Sequence, residues 1–545
     1  MLGTTLRANA SRLLVAGSAA LFVAVFLRNT WIVDDAFITF RVIDNFVHGL
    51  GLTWNPGERV QVFTHPLWMF VMTGVHAVTR EFLVSTLATS LAACLAALEV
   101  ARRSFGRAEA AWRLALVVGI VVSSKTVADY TSSGLENALA YLIVAAFVLQ
   151  AGRVDEAPTP RGVAILWTLA SLAFLNRHDA VLLCLPAAGW LTWRSAVTLG
   201  RTALLAAALG CLPGLLWVAF ATFYFGFPLP NTYYAKAAVE LPLDLRLRRG
   251  YAYFGNSLAW DTLSHLGALG AAWLAYLRRD RVAAGVLAGC AVYAVFILLN
   301  ASATHMAGRL FSVPFFLAFL VLARLWPSRR SAVALGAALA VFNLAAPMAP
   351  WKMGGAFYRL PAQHENHIDT NALVHREGPH VSLGRSEAET LAEHPWFASG
   401  LQFRLQPERI HVGGPRGGEP IGFFGFAAGP AKHVVDYCAL TDPLLSHLPT
   451  CVPAPRRGWK SGHFYRTPPE GYLESLATGE NRIADPTLHA FYEDLRLATR
   501  SPELWSGARL RAIWRLQTEG VRAARAAPPG SCRALGSMRG PVRAD

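Results

Sequence analysis

The sequence predicts an all-α polytopic membrane domain followed by a C-terminal soluble α+β domain. Only 16% of the 545 residues are charged and 54% are hydrophobic, whereas soluble domains carry about 25% charged residues. Several apolar stretches approach the roughly 20 residues that a helix needs to cross a bilayer. After residue 350 the composition turns polar, with His, Gly, Pro and Arg throughout.

The basic residues between the apolar stretches predict a topology, because Lys and Arg favour the cytoplasmic side. Arg7 and Arg12 hold the N-terminus inside, so residues 31–65 lie outside, and the same rule explains the net charge of +15 without nucleic acid as a partner. About eleven spans result, and they place the C-terminal domain outside. The stretch 66–78 is too short to cross and is predicted as an interfacial helix. The predicted spans are 11–30, 83–100, 114–128, 136–151, 162–176, 180–193, 202–223, 262–277, 282–300, 308–324 and 331–348.

Three parts are predicted along the chain. They are a transmembrane domain at 1–349 with a first outer loop at 31–65, an extracytoplasmic soluble domain at 350–525 and a flexible tail at 526–545. Of the seven cysteines, Cys438 and Cys451 lie in the polar part, which the topology places on an oxidising side. They are therefore the candidates for a disulfide.

Two adjacent carboxylates, Asp34 and Asp35, directly follow the first apolar stretch. One interpretation is an acid pair in the first turn of a helix, where carboxylates are stabilised by the helix dipole. The other is a general base or a metal ligand at the membrane surface. Both interpretations stay open at this point.

Further polar residues fall on the predicted outer side. A structural reading exists for two of them: Glu136 could form a capping box with Ser133, and Arg177 could form a salt bridge with Asp179. The functional reading is that an acid takes a hydroxyl proton while cations stabilise charge on a phosphate. No P-loop or dinucleotide-binding motif is present, so an energy source other than a soluble nucleotide is favoured. The candidate substrate-binding residues are Arg41, His65, Glu136, Arg177, Asp179, Lys236, His305 and Arg309.

At these residues the chain resembles the GT-C superfamily of polyprenyl-phosphate-dependent glycosyltransferases, in particular the mycobacterial terminal beta-(1→2)-arabinofuranosyltransferase family. The order and spacing of the motifs, from about residue 30 to 480, carry the resemblance. The matching stretches are Asp34-Asp35 with Arg41 and Asn45, Asn55-Pro56-Gly57-Glu58-Arg59, Ser133-Gly134-Leu135-Glu136, Arg177-His178-Asp179, Pro230-Asn231-Thr232 with Lys236, Gly308-Arg309, His433-Val434-Val435-Asp436 and Ala439-Leu440-Thr441-Asp442.

The resemblance implies a polyprenyl-phosphate sugar donor, an envelope glycan or glycolipid acceptor outside the bacterial cytoplasmic membrane, and an aspartate of the first outer loop as base. Asp34 is the first choice for that base and Asp35 the second. No cofactor is assigned, and a divalent cation is left open. Two motifs depart from the family pattern, at Thr304-His305 and at Arg177-His178-Asp179, and these departures bear on the identity of the sugar.

Two other classes of protein compete with the transferase. A transporter or flippase of lipid-linked saccharides would bind at the bilayer midplane, often with internal repeats, but no repeat is seen and the polar residues cluster at one face. A non-catalytic envelope or motility factor on the same scaffold would lack the first-loop acids, which are present here.

Overall fold

Helices make up most of the computed structural model, which describes residues 2–300, 308–347, 349–352, 386–392, 394–413, 420–451, 463–530 and 540–542. Among these described residues, fifteen α-helices precede residue 350. They are α1 Leu2–Arg28, α2 Asp34–Val47, α3 Pro66–Thr79, α4 Leu83–Arg103, α5 Ala110–Ser123, α6 Lys125–Asp129, α7 Asn137–Glu156, α8 Pro160–Asn176, α9 Leu185–Leu199, α10 Arg201–Phe225, α11 Leu243–Trp260, α12 Thr262–Arg278, α13 Arg281–Leu299, α14 Ser312–Leu325 and α15 Arg329–Ala345.

Shorter elements follow in the C-terminal part. The helices are α16 Glu387–Ala392, α17 Pro395–Leu405, α18 Ile421–Ala428, α19 Tyr472–Thr478, α20 Pro486–Arg500, α21 Gly507–Arg515 and α22 Val521–Ala526. The strands are β1 Ile410–Gly413, β2 His433–Asp436 and β3 Gly540–Val542. Two π-helical turns lie at Tyr233–Ala237 and Leu516–Gly520.

The chain is a multi-pass membrane protein. Among the described residues, six helices are long and apolar enough to cross a bilayer: Asn9–Arg28, Leu83–Arg103, Asn137–Glu156, Arg201–Phe225, Arg281–Leu299 and Arg329–Lys352. The eleven predicted spans fall largely on helical residues, but 114–128 covers the two helices α5 and α6, and several of the helices are shorter than a full crossing. The number eleven therefore stays a prediction. The stretch 66–78, predicted as interfacial, forms the short apolar helix α3.

The chain divides into two compact units that are discontinuous in sequence. Unit 1 comprises Met1–Ile32, Leu83–Gly214 and Arg246–Arg385, and unit 2 comprises Val33–Phe82, Leu215–Leu245 and Ser386–Asp545. The first outer loop thus belongs to the same compact unit as the C-terminal residues. The predicted domain boundaries at residues 349 and 525 separate parts of the chain by their contact with the membrane and not by their compactness. These boundaries stay a prediction.

Unit 1 is a bundle organised around α14. This helix is buried at every position from Ser312 to Ala323, which is typical of a central helix that is apolar all round. It packs against α5, α7, α12 and α13, and α4 and α8 pack on other sides of α7. Side-chain caps begin several helices, as where the Asp280 carboxylate accepts the Ala283 N–H at 2.9 Å at the start of α13.

Unit 2 combines helices with a small sheet in the order β2-β1-β3. Strands β1 and β2 are parallel, with Ile410 opposite His433, and β3 is antiparallel to β1. Strand β3 lies in the segment 526–545 and pairs with β1. The flexible tail that the sequence predicts for this segment stays a prediction.

The predicted bridge between Cys438 and Cys451 is not formed. Cys438 carries a reduced, buried thiol. Cys451 is disulfide-bonded. Spacing along the chain alone could not choose between the cysteines of the polar part.

Candidate functional site

The acid pair lies in the first turn of α2, as one of the two interpretations from the sequence required. Asp34 is buried, with 5% of its surface exposed. Its two carboxylate oxygens accept the backbone N–H groups of Phe423 at 2.7 Å and Gly422 at 3.2 Å. These donors belong to the first turn of α18, where N–H groups have no partner within their own helix. Asp34 therefore caps a helix that is distant in sequence, while Asp35 is only half-buried.

Arg41 binds the other end of α18. Its guanidinium donates to the carbonyl oxygens of Gly425 at 2.7 Å, Gly429 at 3.1 Å and Lys432 at 2.6 Å. The group also lies 4.1 Å from the Trp54 ring centre, and burial lowers the pKa of Arg41 to about 9. An acid at the N-terminus and a cation at the C-terminus match the dipole of α18. Arg41, predicted as a substrate contact, thus has three backbone partners in unit 2.

Glycines allow α18 to approach α2 this closely. A Cβ atom on Gly422 would fall 2.0 Å from the backbone oxygen of Asp34, and one on Gly425 would fall 2.4 Å from the Trp54 ring. Real Cβ atoms do not come within 3.0 Å of such neighbours. The glycines of α18 are consequently required for the close approach that lets this helix bind Asp34.

His65 and Lys236 occupy other parts of unit 2. The His65 Nε2 lies 2.9 Å from the Thr39 hydroxyl of α2, at the start of α3. Lys236 lies in the π-helical turn Tyr233–Ala237 and is half-buried. Burial raises the pKa of Asp436 to about 6, and the positive charge of Lys236 is among the effects that oppose this rise. Lys236 thus places a cation near a buried carboxylate.

A cavity of about 670 Å³ adjoins both π-helical turns of unit 2. Its lining includes Tyr234 and Ala238 from the region of the first turn and Gln517 and Thr518 from the second. π-helical turns are rare and occur frequently at functional sites. Arginines outnumber acids in the lining, which carries Arg466, Arg522 and Arg525 against Glu240. The cavity is therefore large enough for a small ligand and favours an anionic one.

Other motif residues of unit 2 hold backbone groups of the C-terminal part. The Asn55 side chain donates to the Val434 carbonyl at 3.2 Å and accepts the Val434 N–H at 2.9 Å. Asn231 donates to the carbonyls of Ala439 and Asp442 at 2.8 and 3.1 Å. Each of these two asparagines, which lie early in the chain, binds backbone groups of a late segment. The contacts explain why the early and late motifs occur together in one chain.

The remaining predicted residues meet in unit 1. The buried Glu136 carboxylate accepts from Arg309 at 3.0 and 3.1 Å and from Arg177 at 3.3 Å. Arg177 also forms a two-pronged contact with Asp179 at 2.8 and 3.1 Å, and the Tyr293 hydroxyl donates to Asp179 at 3.2 Å. Two cations and two anions thus compensate one another in a cluster that we call the arginine–carboxylate cluster.

Two alternatives from the sequence can be compared with this cluster. The predicted capping box of Ser133 and Glu136 is wrong, because no side-chain cap begins α7 and Glu136 faces the two arginines instead. The salt bridge between Arg177 and Asp179 is confirmed. His305, the eighth predicted residue, lies outside the described part of the chain.

Unit 1 contains a second polar cluster that the sequence analysis missed. Lys125 and Asp129 form an ion pair in α6, with only 4% and 3% of their side chains exposed. Nearby in the chain, Ser124 and the Thr126 N–H donate to the Asp261 carboxylate at 3.0 and 2.8 Å. The spacing of Lys125 and Asp129 by four residues was a usable signal. It was hidden because residues 114–128 were assigned to one apolar span.

No group of three or more His, Cys, Asp or Glu side chains suited to a metal ion occurs within the part of the chain that the structure describes. The two units thus define an integral membrane protein whose buried polar residues include several carboxylates and guanidiniums. A transferase with an anionic leaving group is the class that such residues suit.

Comparisons with known proteins identify relatives of this class. The chain is 28% identical over 339 residues to the terminal beta-(1→2)-arabinofuranosyltransferase of Corynebacterium glutamicum, which covers 52% of this chain and 46% of that protein. It is 28% identical over 229 residues to the enzyme of the same name from Mycobacterium tuberculosis, covering 38% and 35% of the two chains. The chain therefore matches less than half of the length of each curated relative. These similarities confirm the resemblance predicted from the motifs.

Two further comparisons complete this picture. No protein-family model matches the chain. Among solved structures, the crystal structure of ArnT from Cupriavidus metallidurans bound to undecaprenyl phosphate is similar with a TM-score of 0.46 and 14% identity, covering 80% of this chain and 76% of that one.

Proposed function

We propose that the protein is a membrane glycosyltransferase that moves a sugar from a polyprenyl-phosphate donor to a hydroxyl group of an envelope glycan or glycolipid. We place the reaction on the outer face of the bacterial cytoplasmic membrane. The name of the curated relatives supports arabinofuranose as the sugar. The six apolar helices support a donor whose long tail lies in the bilayer.

The reaction requires one base and stabilisation of one leaving group. The acceptor hydroxyl attacks the anomeric carbon, forms the new C–O bond and gives its proton to a carboxylate. The bond between the anomeric carbon and the phosphate oxygen breaks, and polyprenyl phosphate leaves with the electron pair. Fixed cations stabilise the negative charge that grows on the phosphate.

The observation that carries the proposal is the division of roles in the acid pair. Both oxygens of Asp34 are occupied by α18 N–H groups, so this carboxylate cannot turn to a substrate without uncapping a helix. Adjacent residues of a helix point about 100° apart, and the half-buried Asp35 therefore points elsewhere. We assign the base to Asp35 and a positioning role to Asp34, which reverses the order of preference drawn from the sequence.

The candidates for the donor phosphate are Arg309 in unit 1 and, as an alternative, Lys236 in unit 2. In the arginine–carboxylate cluster, Arg177 is shared between Asp179 and Glu136, and Arg309 donates to Glu136. A phosphate can compete with Glu136 for Arg309, because both are anions that accept from a guanidinium. Lys236 adds a compact positive charge beside the basic cavity of unit 2. Glu136, Arg177 and Asp179 are then positioning residues.

The test is a reaction of purified protein with a panel of polyprenyl-phosphate sugars and short synthetic acceptor glycans. We expect release of polyprenyl phosphate and growth of the acceptor by one sugar, with polyprenyl-phosphoryl arabinofuranose as the preferred donor. The matched control is the Asp35→Asn protein. A transporter or flippase would move the lipid-linked sugar across vesicles without lengthening any acceptor, and that outcome would refute the proposal.

A further inference from the structure

Helix α21, Gly507–Arg515, presents three different faces. Arg509, Ala512 and Ile513 are buried and face the rest of unit 2. Leu510 and Trp514, one turn apart on a neighbouring face, are 41% and 71% exposed. Next to them comes a basic face with Arg511 and Arg515. A helix that exposes large apolar side chains beside arginines is typical of helices that lie in a lipid–water interface.

The helix is fixed to the end of an apolar helix. The Arg509 guanidinium donates to the carbonyl oxygens of Phe223 at 2.5 Å and Tyr224 at 3.1 Å, in the last turn of α10. Its other donors bind the carbonyls of Ala498 and Leu504 at 3.0 and 2.9 Å. The last carbonyls of a helix lack partners within the helix, so Arg509 satisfies them and ties α21 to α10.

A second contact gives the same attachment. The ring of Trp505, 78% exposed, lies 4.4 Å from the Phe223 ring. Within unit 2, α10 itself exposes Leu215, Leu216 and Phe220, as expected of a helix surrounded by lipid. Trp505, directly before α21, therefore packs on the end of a candidate membrane span.

We propose that α21 lies in the headgroup layer of the bilayer that α10 crosses. Trp505, Leu510 and Trp514 contact the boundary between headgroups and acyl chains, where tryptophan is enriched. Arg515 is engaged by Asp494 at 2.8 Å. Arg511 is consequently the residue that interacts with anionic lipid headgroups. The occupant of this face is lipid rather than protein, since Arg509 and Trp505 hold α21 at the end of α10, whose own surface in unit 2 exposes large apolar side chains.

The experiment uses the full chain in nanodiscs that contain zwitterionic and anionic phospholipids. The photo-reactive residue p-benzoylphenylalanine replaces Trp514 in one protein and Leu510 in another. As a control it replaces Glu493, a solvent-exposed residue of α20 in the same unit. After irradiation, intact-mass spectrometry identifies what each probe has captured. Both positions are exposed, so the substitutions leave the core of unit 2 unchanged.

Phospholipid adducts at 510 and 514, and none at 493, are the expected result. The Arg511→Gln substitution should lower the share of anionic lipid in the 514 adduct about fivefold, because one arginine near an anionic surface contributes about that much. Adducts to a second copy of the chain or to another protein would overturn the proposal, and so would absence of lipid adducts at both positions. The inference requires that α10 crosses the bilayer, and it does not require the transferase activity. The membrane contact of α21 and the transferase activity can therefore be refuted separately.

Discussion

Exchanging each carboxylate of the acid pair for an amide should separate a structural role from a chemical one. In Asp34→Asn the side chain keeps one oxygen, but its second acceptor becomes an NH2 group that faces a backbone N–H donor. One of the two α18 N–H groups then loses its partner in a buried setting. An unsatisfied buried donor costs about 1–3 kcal/mol, and loss of an N-cap costs about 0.5–2 kcal/mol. We therefore expect a stability loss of about 1–3 kcal/mol with turnover per folded molecule retained.

The neighbouring substitution should give the opposite pattern. Asp35 is half-buried at the second position of α2, and an amide of the same shape fits there without a new clash. Loss of a positioned general base lowers the rate about 100- to 10,000-fold. Asp35→Asn should therefore unfold at nearly the same temperature as the parent protein while its turnover falls by that factor.

The assay measures melting temperature and initial rate on the same purified preparations, with the rate normalised to folded protein. Asp44→Asn serves as a control on the same helix, because Asp44 is partly exposed and the amide keeps an oxygen toward His48 and the buried His76. If Asp34→Asn loses turnover without losing stability, the capping argument is refuted and Asp34 is the base. If both variants keep near-normal turnover, the base lies elsewhere, and Glu136 or Asp179 becomes the next candidate.

Four further predictions follow from single contacts. Arg309→Gln should raise the KM for the donor about tenfold and leave the KM for the acceptor near normal, because a charge-assisted bond contributes 1.5 kcal/mol or more; equal effects on both substrates would contradict a phosphate role. Gly422→Ala should destabilise unit 2 measurably through its clash with the Asp34 backbone, whereas Gly74→Ala, which has open space around it, should not; thermal unfolding of the two proteins decides. Burial raises the pKa of Asp442 from 3.8 to about 7, so its contribution to stability is present below about pH 4 and is lost as the pH rises through 7. The stability of Asp442→Asn relative to the parent protein should therefore increase between pH 4 and 7. A stability difference that does not change with pH would count against the raised pKa. An alkaline phosphatase fused after residue 545 should be active and a cytoplasm-only reporter silent if the C-terminal part lies outside; the reverse result would contradict the topology.

The membrane helices could be predicted from sequence because hydropathy is averaged over a whole helix. A stretch such as 202–223 is apolar at nearly every position, and the structure begins and ends α10 within a few residues of it. Helix α2 is the contrasting case. Its 14 residues mix apolar and polar side chains, most of them buried, and the sequence left a helix at this place as one of two interpretations.

The partners of the acid pair could not be predicted from sequence. Asp34 binds Gly422 across 388 residues and Arg41 binds Gly425 across 384, and no local pattern records such distances. One of the two interpretations drawn from the sequence placed the acid pair in the first turn of a helix. The structure agrees, because both acids lie in the first turn of α2. The sequence contains no sign that Asp34 caps a second helix as well as beginning its own.

The residues that carry the resemblance to arabinofuranosyltransferases differ in what they can reveal about chemistry. Three of them hydrogen-bond through their side chains to backbone groups of the C-terminal part, namely Asn55, Asn231 and Arg41. Replacing any of them should abolish activity by weakening unit 2, whatever reaction the protein catalyses, so loss of activity alone cannot assign a role. Asp35 and Arg309 are different, because these are the positions to which we assign the base and a contact to the donor phosphate. A role in catalysis is therefore established only by a variant that loses turnover or donor affinity while its unfolding temperature stays unchanged, and these two positions are where that measurement is decisive.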